Sequence, residues 1–179
     1  MATVTMNSIS VTTHSNDAKE RDRVLELANT EQARRERVKL AAAYRILARL
    51  GLDDGIAGHI SLRVPGAPDY FWVNPFGKFF SEVTAENLVL VNHLGEIVGD
   101  GEMINFAGFC IHSAIHHHRQ DINCACHTHP PGGTAFSALG IELEPLDQVG
   151  CSFFEDHVLH TEYGGVVLDQ DYATGIATA

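Results

Sequence analysis

The residue pattern predicts a mixed α/β domain built on an antiparallel meander, and three observations carry that expectation. Apolar residues recur at three-and-four spacing after Thr30 and again after Asn105, as amphipathic helices require. Between Gly51 and Gly101, short β-type runs alternate with turn residues. The chain has 179 residues, 45% apolar and 20% charged, enough to bury a substantial core as one globular domain.

In chain order, residues 1–29 read as a mobile tail rich in Ser, Thr, Asn and Asp, with a short helix around Val24 to Leu27 as its one candidate element. Residues 30–179 read as the folded domain. Its first helix follows from Leu40, Ala43, Tyr44, Leu47 and Leu50, and Gly51 suits a left-handed cap. Arg34, Arg35, Arg37 and Lys39 lie on other faces, as solvated surface or as a subunit contact.

Strands are expected at Gly58 to Val64, Tyr70 to Val73, Asn87 to Val91 and Glu96 to Val98, separated by Pro65-Gly66, Asn74-Pro75 and Asn92 to Gly95. Gly55 and Gly58 flank a loop where a backbone can approach a ligand closely. His59, Asn74, Gly77 and Lys78 fall at loop or strand ends, where backbone N–H groups and a lysine can hold an anion. The competing reading is turn chemistry plus one exposed lysine.

Asn105 to Arg119 reads as a helix that carries His112 and His116 at i and i+4. Such a pair is either part of a copper, nickel or zinc site or, with His117 and His118, a histidine-rich, partly exposed face. The most informative stretch is Cys124-Ala125-Cys126-His127-Thr128-His129-Pro130-Pro131-Gly132-Gly133. In an extended strand side chains alternate, so His127 and His129 share one face and Cys124 and Cys126 the other. This favours a two-histidine metal edge with buried thiols behind it over a mixed Cys/His knuckle. A small-residue helix is expected from Pro131 to Leu139, then two or three short strands between Glu144 and Leu168, and a last helix from Asp169. His157 and His160, three apart, would face opposite sides of a strand.

Twelve Lys and Arg against 23 Asp and Glu give a net charge of −11, which disfavours nucleic acid and anionic membranes as partners. No apolar run reaches the length of a membrane span, and the first thirty residues carry neither a secretory nor a transit pattern, so the cytoplasm is the expected compartment. Cys110, Cys124, Cys126 and Cys151 are then expected to be reduced and buried.

Taken together, several of these motifs resemble the class II aldolase/adducin family over roughly Gln32 to the end. They are the Gly-His-Ile-Ser-Leu-Arg run at Gly58, the turn Val73-Asn74-Pro75-Phe76-Gly77, the helix Asn105 to Ile115 and His127-Thr128-His129-Pro130. The resemblance implies a three-layer α/β/α sandwich with a mostly antiparallel sheet, assembled as a homotetramer or other homo-oligomer. It also implies zinc on His127, His129 and a third histidine in a later Asn-His-Gly segment, and sugar-type substrates. Two departures stand out. Where family aldolases carry two phosphate-binding serines and a glutamate base, this chain has Phe106-Ala107-Gly108, as the adducin-type branch does. No histidine follows His160, so the expected third ligand falls outside this sequence and residues 30–179 read as a domain without its C-terminal part.

The function expected is a metal-dependent, lyase-like activity on a small oxygenated carbonyl compound, by C–C cleavage or decarboxylation through a metal-stabilised enolate. Decarboxylation tolerates the missing glutamate best, because it needs no base to take a hydroxyl proton. His59, His112 and Tyr163 are the candidate proton donors, and Asn74, Gly77 and Lys78 the candidate substrate contacts. The competing reading is a non-catalytic, adducin-like assembly domain with a vestigial metal site.

Overall fold

In the computed structural model, which describes residues 18–179, the described residues begin with two helices, α1 (Ala18–Ala28) and α2 (Glu31–Arg49). Thr30 separates them and caps the second: its Oγ1 accepts from the Ala33 N–H at 3.2 Å. Leu50 and Gly51 close α2, with Gly51 in the left-handed region at φ +67° and the Leu52 N–H reaching back to the Leu47 carbonyl at 3.0 Å. Ala33, Leu40, Ala41 and Tyr44 form the buried stripe of α2.

Part of the segment read as a tail is instead folded. Ala18–Ala28 is helical and docks through Val24 and Ala28, both buried in the same cluster as Leu40 and Tyr44. A short apolar stripe inside a polar segment is enough to hold a helix once a neighbouring surface receives it. Residues 1–17 lie outside the described residues.

A four-stranded antiparallel sheet follows, in the order β3-β2-β1-β4: β1 (His59–Val64), β2 (Ala67–Val73), β3 (Val89–Asn92) and β4 (Cys124–His127). The alternation along β2 divides the interior. Trp72 packs with Ile60, Val64, Leu90 and helices α1 and α2, whereas Phe71 and Val73 pack with Val89, Val91 and the helices of the other face. Those helices are α3 (Phe106–His118) and α5 (Gln170–Thr178), with a short α4 (Pro131–Ser137) between them in sequence. The expected α/β/α layering and antiparallel sheet are thus observed.

Between Gly140 and Asp169 no strand forms; the chain follows an irregular path with one 3-10 turn at Gly150–Phe153. The strands expected between Glu144 and Leu168 fail for a physical reason. Their apolar side chains, among them Leu146, Val149, Phe154, Val158 and Val166, are exposed and have no sheet face to cover, and an isolated run of backbone does not hold as a strand without a partner. Glu96 to Val98 similarly reduces to a bridge between Val91 and Ile97.

Candidate active site

Strand β1 alternates strictly. Ile60, Leu62 and Val64 face the α2 side, while His59, Ser61 and Arg63 face α3. The β1–β4 register sets His127 opposite His59 and Ala125 opposite Ser61, and sets Cys126 and Cys124 opposite Ile60 and Leu62. The parity expectation therefore holds: the histidine edge and the two cysteines lie on different faces. Their burial does not. Cys110 is buried, but Cys124, Cys126 and Cys151 are exposed, because β4 is the edge strand and the Cys124–Cys126 face extends past the cover that α2 provides.

The approach of β1 to β4 depends on Gly58. It sits at φ +91°, and a Cβ there would lie 2.9 Å from the His127 carbonyl oxygen and 2.9 Å from the Phe80 ring. The close backbone approach expected at this loop is thus made by β4. The His129 N–H bonds the Leu52 carbonyl at 3.3 Å, and the His127 and His129 rings stack at 4.7 Å and 20°.

On the α3 face the histidines meet. His59 Nδ1 is 2.8 Å from His112 Nε2, and His59 also sets its edge against the His127 ring at 4.7 Å. His112 Nδ1 is 2.6 Å from Ser61 Oγ, and Ser61 Oγ is 2.7 Å from His116 Nε2. His112 and His116 are fully enclosed, and only His117 and His118 keep the exposed character expected for this helix face. The i, i+4 pair shares the Ser61 hydroxyl rather than opening to solvent. Burial pushes His59 down to about 3, with His127 and His129 adding to the effect, and His116 down to about 4. His112 is held well below its ordinary value, and His127 is lowered by burial and by His129. The cluster is therefore uncharged at neutral pH, the form in which imidazole binds a metal.

Two elements fix this arrangement. Asn105 caps α3, its Oδ1 accepting from the N–H groups of Ala107 and Gly108. At the other end the Arg63 guanidinium donates to the carbonyls of Ile122 at 2.9 Å, Arg119 at 3.0 Å, Pro68 at 2.5 Å and His116. Gly108 supplies the space between helix and strand: a Cβ there would fall 2.3 Å from His59 Cδ2 and 2.5 Å from Nε2. The residue at the position of the family glutamate is thus one that only a glycine can fill while His59 keeps this place.

The other expected site residues are placed as follows. Asn74 is buried, its side chain 2.8 Å from the Tyr44 hydroxyl, which also bonds the Ile60 backbone. Gly77 takes φ +83° in an exposed turn, and Lys78 pairs with Glu102 at 3.5 Å. No hydrogen bond among the described residues joins these three to the histidines. Tyr163 is 90% exposed, and His112 has both ring nitrogens committed inside the protein. Ser61 and Arg63 were given no role by motif reading, and His116 was weighed only with His112, as a metal pair or an exposed face. The signal was present in the alternation His59-x-Ser61-x-Arg63, which meets the i, i+4 histidines of α3.

His127 and His129 supply two neighbouring imidazoles, but no group of three or more His, Cys, Asp or Glu is placed to hold a metal ion among the described residues. The donors present fit half of a four-coordinate centre.

Residues 38–178 match the family described as Class II Aldolase and Adducin N-terminal domain. Decarboxylase NovR of Streptomyces niveus is 41% identical over 139 residues, covering 76% of this chain and 52% of that protein. Alpha-adducin of Rattus norvegicus is 41% identical over 138 residues, 75% of this chain and 18% of that protein. The crystal structure of an aldolase II superfamily protein from Pseudomonas syringae superposes with a TM-score of 0.77 at 40% identity, covering 86% of this chain and 62% of that one. The chain spans about half the length of the first curated relatives it matches.

Proposed function

Since this chain belongs to the class II aldolase/adducin family, we propose that it carries part of the active site of a metal-dependent, lyase-like protein. The substrate class is a small oxygenated carbonyl compound, and the reaction is C–C cleavage or decarboxylation. The observation that carries this reading is the His127–His129 pair, stacked at the end of β4 and backed by His59. The relative named as a decarboxylase supports the same class of reaction. A bound divalent ion, zinc being the natural choice for imidazole donors, supplies Lewis-acid polarisation of a carbonyl.

The chain's own residues do the rest. His127 and His129 are two of the ligands. His59 is a titratable group packed against His127, while the fully enclosed His112 supports it from behind. Gly108 brings no acid or base, which fits decarboxylation better than retro-aldol cleavage. Asn74, Gly77 and Lys78 remain the proposed substrate contacts, and Tyr163 a proposed proton donor. The compartment is the cytoplasm and the working form a homo-oligomer, with neither nucleic acid nor membrane as partner. No described helix is long and apolar enough to cross a membrane, and the exposed apolar side chains between Leu139 and Leu168 support assembly.

A second reading, an adducin-like assembly domain with a vestigial metal site, is supported by the likeness to alpha-adducin, 41% identical over 138 residues. Metal analysis of the purified chain separates the two. The lyase reading expects bound divalent metal that falls in His127→Ala and His129→Ala. A zinc content well below one per chain, unchanged by either substitution, leaves the assembly reading alone.

A further inference from the structure

Positive charge is gathered on one helix. Six of the chain's 12 Lys and Arg lie in the 19 residues of α2, at Arg34, Arg35, Arg37, Lys39, Arg45 and Arg49, and all but Arg37 are exposed. Among the described residues only Arg35 and Lys39 of this set form ion pairs, each with a glutamate of the same helix. Ala33, Leu40, Ala41 and Tyr44 turn inward. The opposite face then carries Arg34, Val38, Ala42, Arg45 and Arg49 at three-and-four spacing, with Ile46 beside them. Val38 is 60% exposed and Ile46 56%. This outward stripe mixes guanidinium groups with uncovered apolar side chains.

Its complement lies in the same sequence. No Lys or Arg follows Arg119. Between Gly140 and Asp169 the carboxylates are Glu142, Glu144, Asp147, Glu155, Asp156 and Glu162, all exposed, and none is ion-paired among the described residues. They alternate with apolar side chains that are exposed as well, Leu146, Val149 and Phe154 among them. Each surface thus offers the charge that the other lacks, together with apolar area that water still covers.

Within one chain the two surfaces stay apart. Helix α2 packs on the Trp72 face of the sheet, whereas Val167, which anchors the C-terminal end of the acidic segment, packs with α3 and α5 on the Phe71 face. The partner that brings both is a second copy. A nucleic acid or an anionic bilayer would match the stripe but not the molecule behind it. Beyond α2 the only Lys and Arg are Arg63, Lys78 and Arg119, and the chain as a whole carries −11.

We propose that the outward stripe of α2 is a docking surface for the acidic segment between Gly140 and Asp169 of a second copy of this chain. This names the two surfaces of the homo-oligomer proposed above and rests on that part of the reading. Because the surfaces differ and are anchored on opposite layers, the contact is heterologous. Each copy gives its stripe to one neighbour and its acidic segment to another, and the series closes as a ring or runs on as a filament. Exposed ion pairs are individually weak. Their part is to steer the encounter and fix its register, while Val38 and Ile46 against Leu146 and Phe154 supply the apolar contact.

The test is sedimentation velocity of the whole chain over a concentration series, with two charge reversals at exposed positions: Arg45→Glu with Arg49→Glu, and Glu142→Lys with Glu144→Lys. Circular dichroism checks that each variant is folded. The wild type should self-associate, and each reversal should need about tenfold more protein or more to do so, because like charges then face each other. An equimolar mixture of the two variants should associate again, since each brings the charge that the other lost. Association that survives both reversals unchanged overturns the proposal and leaves the homo-oligomer reading standing, and so does a mixture that is not restored. A wild-type chain that stays monomeric at every concentration refutes the homo-oligomer reading itself. Should a reversal variant not fold, the wild type decides alone: in 1 M salt, where screening acts beyond about 3 Å, its association should weaken, and an unchanged profile overturns the proposal. Wild-type binding to phosphatidylserine vesicles or to duplex DNA that is lost in the arginine variant would assign the stripe to that partner instead.

Discussion

Gly108→Ala is the substitution for which the structure gives the clearest arithmetic. In an ordinary helix the change stabilises by about 1 kcal/mol, since alanine has less backbone entropy to lose. Here the new methyl would lie 2.3 Å from His59 Cδ2 and 2.5 Å from Nε2. The ring would have to move by about 1 Å to restore normal contact, and overpacking of this kind costs about 1–3 kcal/mol. It cannot move freely, because His112 holds Nδ1 at 2.8 Å, and losing that bond costs about 1 kcal/mol more. The sum is a net loss of about 1–3 kcal/mol. Urea unfolding followed by circular dichroism measures it directly. The decisive comparison is made in a His59→Ala background, where the clash disappears and alanine at position 108 should become stabilising. The coupling between the two sites should then reach about 2 kcal/mol or more. A Gly108→Ala chain as stable as the wild type, with His59 present, would refute the reasoning.

Other expectations follow from the same geometry. His116 has a folded-state value of about 4 against an ordinary 6.5, so below pH 6.5 the unfolded chain binds a proton that the folded chain refuses. Stability present above that pH is lost as pH falls toward 4, at about 1.4 kcal/mol per pH unit for this residue, and His116→Phe should flatten a plot of unfolding free energy against pH by that amount. Val24→Ala should destabilise by about 1–2 kcal/mol in chemical denaturation if α1 is part of the core, and by nothing measurable if the segment is a tail. Tyr44→Phe should cost about 1–3 kcal/mol, because the hydroxyl that serves the Ile60 backbone and Asn74 is removed from a dry site. In the native chain a thiol reagent should modify Cys124, Cys126 and Cys151, and should reach Cys110 only on unfolding.

The parts that local pattern governs were legible in the residues. Thr30, Gly51 and Asn105 mark helix ends by their own chemistry, and the period-two run His59 to Val64 announces both a strand and its two faces. The pairing of His127 with His129 on one face is likewise a matter of parity. Burial was harder, because it depends on what covers a face rather than on the face itself. Cys124 and Cys126 look like core residues by type, yet they sit on an edge strand. Leu146, Val149 and Val158 lie in short apolar runs of the kind strands have, but they find no sheet beside them. His112 and His116 showed the reverse error: a run of histidines suggests a wet surface, and only the tertiary contact with Ser61 reveals that these two are dry.

Arg63 works as a spacer. Its planar head meets carbonyls from the start of β2, the end of α3 and the connection to β4, and these are the three segments whose separation sets how far the helix stands from the sheet. A positive charge at the carbonyl end of a helix also interacts favourably with the negative end of the helix dipole. Lysine carries the charge but not the fork, and it cannot address four oxygens in one plane. The gap in which His112 reaches His59 is therefore calibrated from more than one helical turn away, by a residue that touches neither ring.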